Sequence, residues 1–224
     1  MGRMIEFARP DGKRAPGYLA EPVKRDGAPR IVMLQEWWGL NDEIKQTAEE
    51  FAREGFRVLI PDLYRGRSTA EGEEANHLAA GLDFGDAATQ DARGAAQFLQ
   101  KQGGKVGVIG YCMGGALALI AALHDPEFAA VVTYYGYPGP EAGDLSKIRI
   151  PVMGHWAKHD AHFNLAGVEA IEAKLKAGSV PHEFFTYDAK HAFANPKGLG
   201  NYDHEIAQTA FRRTIEFFEQ NLAP

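Results

Sequence analysis

The stretch Gly110-Tyr111-Cys112-Met113-Gly114-Gly115 constrains the fold of this chain more than any other. An apolar run, Lys105-Val106-Gly107-Val108-Ile109, precedes it and reads as a short buried strand. An alanine-rich apolar run from Ala116 to Leu123 follows and reads as a helix. Strand, glycine-bracketed turn and helix form the context in which a G-x-nucleophile-x-G pattern acquires meaning. The central residue must hold a strained backbone at the tip of the turn. Glycines two positions to either side remove the Cβ atoms that would clash there. Here the central residue is Cys112, the single cysteine of the chain. A helix that starts just beyond it points free N–H groups and a positive dipole end at the sulfur. That favours thiolate and leaves the N–H of Met113 for a developing oxyanion. The competing reading is a plain glycine-rich turn with cysteine as a small apolar filler.

The rest of the chain alternates strand and helix around this turn. Alternating residues near Ile5-Glu6-Phe7 and Gly17-Tyr18-Leu19, with Pro10-Asp11-Gly12 between them, predict an antiparallel edge hairpin. Continuous apolar runs at Ile31–Leu34, Phe56–Ile60, Phe128–Tyr134 and Ile148–Met153 predict strands covered on both faces, the last despite Pro151. A further strand is expected at His182–Tyr187. Helices are expected at about 41–53, 73–82, 86–101, 165–177 and 203–221, the last with Ile206, Ala210, Ile215 and Phe218 on helical spacing. This order implies an α/β class, a mostly parallel central sheet with helices on both faces. At 224 residues, 45% hydrophobic and 24% charged, the chain reads as a single domain over residues 1–224.

Charge and cysteine usage narrow the function classes. A net charge of −6 argues against nucleic acid or an anionic membrane as partner, since both reward basic surface. No run reaches the length of a membrane span, and the first residues lack the apolar core of a signal peptide. One cysteine excludes an intrachain disulfide and a multi-cysteine metal site. A cytoplasmic, cofactor-free monomer or small homo-oligomer that acts on a small molecule is expected.

In a sheet of this kind the ligand crevice lies beyond the carboxyl ends of the strands. Asp160 follows the Ile148–Met153 run, and His191 follows the His182–Tyr187 run. The chain order is nucleophile, acid, histidine, as the α/β-hydrolase layout requires. The expected roles follow: His191 moves the Cys112 proton, Asp160 holds the imidazole, and Cys112 forms a thioester that water cleaves. Each of Asp160 and His191 taken alone has an ordinary loop or capping role as its alternative.

Glu36, at the end of the first apolar strand, has two readings. It either opposes thiolate formation at Cys112 and so controls the thiol, or it braces its loop through backbone N–H groups. Trp37 in the same loop is the expected second oxyanion N–H donor. Trp37, Trp38, Tyr64, Tyr134, Tyr135, Tyr137 and Trp156 near strand ends are candidate pocket walls for an aromatic or planar ring, with plain packing as the alternative, and Asn195 is a further pocket candidate. His155, His159, Asp160 and His162 form a dense run of potential metal ligands, but their spacing suits neither one strand face nor an H-E-x-x-H helix, so no metal is expected.

The Gln35-Glu36-Trp37-Trp38-Gly39 segment, the Gly-Tyr-Cys-Met-Gly-Gly elbow, Pro61-Asp62-Leu63-Tyr64 and His191-Ala192-Phe193 together resemble the dienelactone hydrolase (carboxymethylenebutenolidase) family of the α/β-hydrolase fold. The resemblance covers nearly the whole chain. It implies a Cys112–His191–Asp160 triad, Glu36 as the residue that controls the thiol, and hydrolysis of a cyclic enol ester. The chain departs from the family pattern where arginines bind the substrate carboxylate. Asn195 stands four residues after His191 in place of one, and Glu71–Gly85 contains none. Arg65 or Arg67 is the nearest replacement, with a solvated surface role as the alternative. A broad esterase or thioesterase with phosphoester side activity, and a non-catalytic binding protein, are the other readings.

Overall fold

The computed structural model describes residues 2–24, 26–101, 103–198 and 200–223. Among these residues eight strands form one sheet: β1 (Arg3–Ala8), β2 (Arg14–Ala20), β3 (Arg30–Leu34), β4 (Arg57–Pro61), β5 (Val106–Tyr111), β6 (Phe128–Tyr134), β7 (Val152–Ala157) and β8 (His182–Tyr187). Their spatial order is β1-β2-β4-β3-β5-β6-β7-β8. β1 and β2 pair antiparallel, as does β2 with β4, and the rest of the sheet is parallel. The expected edge hairpin is therefore present, and β5 with its elbow sits near the middle.

Continuous apolar strands are needed because both faces are covered. Within β3, Val32 and Leu34 join one core cluster, while Ile31 and Met33 join the other. β5 divides likewise, with Val106 and Val108 on one side and Ile109 and Tyr111 on the opposite side. The period of two residues that a strand imposes turns one apolar run into two cores.

Among the described residues seven α-helical segments flank the sheet: α1 (Asp42–Arg53), α2 (Gly72–Ala80), α3 (Phe84–Asp86), α4 (Arg93–Gln100), α5 (Met113–His124), α6 (Leu165–Ala177) and α7 (His204–Leu222). Side-chain caps start four of them, α3 included, where Asp83 accepts from the Asp86 N–H. Asn41 accepts from the Ile44 N–H, Asn164 from that of Gly167, and Asp203 from that of Ile206. Phe51 of α1 and Phe217 and Phe218 of α7 fill one core, and Leu117, Ala118 and Ala121 of α5 the other.

Three sequence expectations shift. β7 begins at Val152, because Pro151 has no N–H for the ladder; its carbonyl instead accepts from Val131. Consequently His155 and Trp156 lie within the strand rather than after it. The elbow helix starts at Met113, with Gly114 and Gly115 inside it. The helix expected at 86–101 begins at Phe84, and a π-helical turn over Ala87–Ala92 joins α3 to α4.

Candidate active site

Local sterics explain why these residues make an elbow. Cys112 has φ 53° and ψ −119°, a strained conformation outside the usual basins. A Cβ on Gly110 would lie 1.8 Å from the Gly114 carbonyl oxygen. One on Gly114 would lie 2.3 Å from the Leu34 carbonyl oxygen and 2.5 Å from that of Gln35. The turn closes only with glycine at both positions, and the second glycine lets α5 press on the end of β3. That contact is what brings the Gln35–Gly39 loop beside the sulfur. Tyr64 braces the same turn, its hydroxyl donating to the Met113 sulfur at 3.4 Å.

A line of hydrogen bonds leaves the sulfur. Cys112 Sγ lies 3.2 Å from His191 Nε2, and His191 Nδ1 lies 2.7 Å from Asp160 Oδ2. Asp160 Oδ1 accepts from the N–H groups of His162 (2.7 Å) and Phe163 (2.9 Å). Burial would push the Asp160 carboxyl up, but the hydrogen bond from His191 and these N–H groups outweigh it and hold the group below its ordinary value. The Phe163 ring stacks on the His191 imidazole at 5.6 Å and limits its rotation.

The thiol itself is held neutral. Burial raises it well above the ordinary cysteine value, the Glu36 charge raises it further, and the Met113 N–H opposes both. Glu36 does not hydrogen-bond the sulfur. Its Oε1 accepts from the Tyr135 hydroxyl at 3.2 Å, and its Oε2 accepts from the Asn195 side-chain amide. Burial leaves the Glu36 carboxyl above its ordinary range in spite of those two donors and the nearby His191. Thus the thiol is hydrogen-bonded to the histidine and not to Glu36, whose carboxylate is held by Tyr135 and Asn195. Tyr135 (φ 38°) and Ala192 (φ 63°) are, like Cys112, non-glycine residues in the left-handed region, and they flank this cluster.

Cys112, Met113 and His191 open on a cavity of about 730 Å³. Of the residues expected to line it, Trp37 and Tyr137 do, whereas Trp38, Tyr64, Tyr134, Tyr135, Trp156 and Asn195 do not. Trp156 and Tyr135 are fully buried, and Tyr64 packs on Met113. Trp38 lies edge-on to Trp37, and Asn195 is turned to Glu36. Among the described residues the other walls come from the segment between Tyr137 and Ala142, from His162 and Phe163, and from Ala79, Phe84 and Thr89. The sequence carries two legible signals for the cavity, the aromatics Trp37 and Tyr137 shortly after strands and the spacing of Met113, Ala116, Ile120 and His124 along a single face of α5.

Neither arginine replaces the missing pair. The Arg65 guanidinium spans both Asp91 oxygens at 2.8 Å and also donates to the Asp62 carbonyl. Arg67 is exposed and does not line the cavity.

The histidine-rich run is dispersed. His155 is buried between the Tyr187 hydroxyl and Thr214, where burial pushes it down to about 3. His159 pairs with Asp188, and His162 lies edge-on to His191 at the cavity wall. Among the described residues no group of three or more His, Cys, Asp or Glu side chains is arranged to hold a metal ion. No helix among them is long and apolar enough to cross a membrane.

Known proteins carry the same architecture. Residues 15–222 match the model of the dienelactone hydrolase family. A relative from Aquifex pyrophilus called protein usf is 32% identical over 233 aligned positions, covering 99% of this chain and all of that one. A dienelactone hydrolase-like promiscuous phosphotriesterase, P91, from metagenomic libraries superposes with a TM-score of 0.81 at 25% identity, covering 99% of each chain. Esterase 2 of Thermogutta terrifontis, solved after reaction with tabun, shares the fold at 17% identity, with a TM-score of 0.75 over 100% of this chain and 96% of its own. From the match over residues 15–222 and the eight-stranded sheet around the elbow, the chain belongs to the dienelactone hydrolase family and is a hydrolase of the α/β-hydrolase fold.

Proposed function

We propose that the chain hydrolyses a small ester or lactone with Cys112 as nucleophile, His191 as general base and acid, and Asp160 as the residue that orients the imidazole. One observation carries this reading: the unbroken run from Sγ through both ring nitrogens to a depressed carboxyl, opening directly on a cavity.

The chemistry follows from that run. The thiol is neutral at rest, so its proton passes to His191 Nε2 as sulfur attacks the carbonyl carbon. A C–S bond forms, and the carbonyl oxygen becomes an oxyanion for the N–H groups of Met113 and Trp37. As the C–O bond breaks, His191 returns the proton to the leaving alkoxide and a thioester remains. His191 then takes a proton from water, which attacks the thioester and releases the acid, and the thiol is restored. The ionised Asp160 stabilises the imidazolium in both halves. A single cysteine without disulfide partners suits a reducing compartment.

A second reading, side activity on phosphoesters by the same nucleophile, is favoured by the likeness to P91, which is described as a promiscuous phosphotriesterase. The test is turnover of p-nitrophenyl acetate, a dienelactone and paraoxon by wild type and Cys112→Ala. Loss of all turnover in the variant is the expected result. Residual rates close to wild type would remove Cys112 from the reaction.

A further inference from the structure

The cavity beside Cys112 is a largely apolar trough whose basic side chains, among the described residues, are those of His124, His162 and His191. Met113, Ala116, Ile120 and His124 run along one face of α5, a span of about 16 Å at 1.5 Å per residue. Ala79 of α2 and Phe84 of α3 also contribute to its walls. Among the described residues that line it, none is lysine or arginine, and the carboxylate present is that of Glu141, on an exposed residue. Glu36, buried and outside the cavity lining, is a second acidic group whose charge acts on the sulfur.

We infer that this site selects uncharged esters with an extended apolar arm and discriminates against substrates that carry a carboxylate. The inference rests on the hydrolase reading above and names its substrate class. A substrate anion in the trough would lose its hydration without gaining a lysine or arginine as permanent counter-charge, and it would face Glu141. An alkyl or aryl arm gains by each methylene it removes from water along α5.

Two ester series test this with wild-type protein. The first comprises p-nitrophenyl acetate, butyrate and hexanoate, and the second methyl, butyl and hexyl acetate. In one of them kcat/KM should rise by about threefold per methylene, whichever arm occupies the trough. The carboxylate comparison sets p-nitrophenyl hexanoate against mono-p-nitrophenyl adipate, similar in length but ending in an anion. The neutral ester should be favoured at least ~100-fold at low ionic strength. In Ala79→Arg, which adds a cation to the wall, that ratio should shrink at least ~tenfold. Flat dependence on length in both series, or an adipate ratio under ~10, would overturn the inference.

Binding separates this inference from the catalytic one. Trp37 lines the cavity, so tryptophan fluorescence of Cys112→Ala protein reports occupancy. Methyl phenylacetate should bind at least ~tenfold more tightly than phenylacetate. If wild type cleaves no ester at all, the catalytic reading falls, and this binding ratio alone still decides the character of the trough.

Discussion

Two buried carboxylates flank the His191 ring, one in the loop after β7 and one in the loop after β3, and burial acts on them with opposite outcomes. Asp160 receives the His191 ring and two N–H groups of its own loop, three donors on two oxygens. Its charge is stabilised and the group stays ionised. Glu36 receives one hydroxyl and one amide from distant segments, and burial prevails. Desolvation penalises both. The number of donors, and whether one belongs to a group that becomes cationic, decides the winner. The consequence is a division of labour: Asp160 supplies a fixed negative charge to the imidazole, while Glu36 is a weakly held charge whose presence makes the thiolate costly.

The largest effect should come from breaking the Asp160 side. Asp160→Asn keeps the shape but removes the charge that supports the imidazolium, and kcat should fall by about 10²–10⁴ with the fold intact by circular dichroism. A loss under ~tenfold would make the carboxylate a mere loop brace. The next effect sharpens the Glu36 side. Glu36→Gln removes a charge that raises the thiol, so alkylation of Cys112 by iodoacetamide should accelerate about tenfold, the factor for one unit of thiol pKa. An unchanged alkylation rate would reduce Glu36 to scaffolding for Trp37.

The smallest effect is on stability, and it should have opposite signs at the two sites. The folded Asp160 carboxyl lies below its unfolded value, so its contribution is present above about pH 4 and is lost as pH falls through the folded value. The folded Glu36 carboxyl lies above its unfolded value of about 4.3. Its contribution is present below that pH and is lost as pH rises through the folded value. Thermal unfolding should therefore show Asp160→Asn more destabilising at pH 7 than at pH 3. Glu36→Gln should be more favourable at pH 7 than at pH 4. Shifts of about 2–4 °C per kcal/mol are expected for a chain of this size. Parallel pH trends in the two variants would mean that the donors do not distinguish the carboxylates.

What the sequence determined by itself is local chemistry and order. Glycine at positions 110 and 114 announces a turn that excludes Cβ atoms, and the apolar runs of β3 and β5 announce strands covered on both faces. Asp160 and His191 are legible because each stands shortly after a strand, and strand ends meet at one edge of a parallel sheet. Tertiary structure alone decided which side chains converge. Asn195 lies 159 residues from Glu36 yet carries its main hydrogen bond, and Arg65 is claimed by Asp91 rather than by a ligand. The cavity wall draws on α2, α3, the π-helical turn, α5 and the loops after β3, β6, β7 and β8, so aromatics near strand ends such as Trp156 and Tyr135 could face the core instead. Periodicity and turn sterics act over a few residues, whereas the path of a loop and the partner of a buried charge depend on the order in which strands assemble.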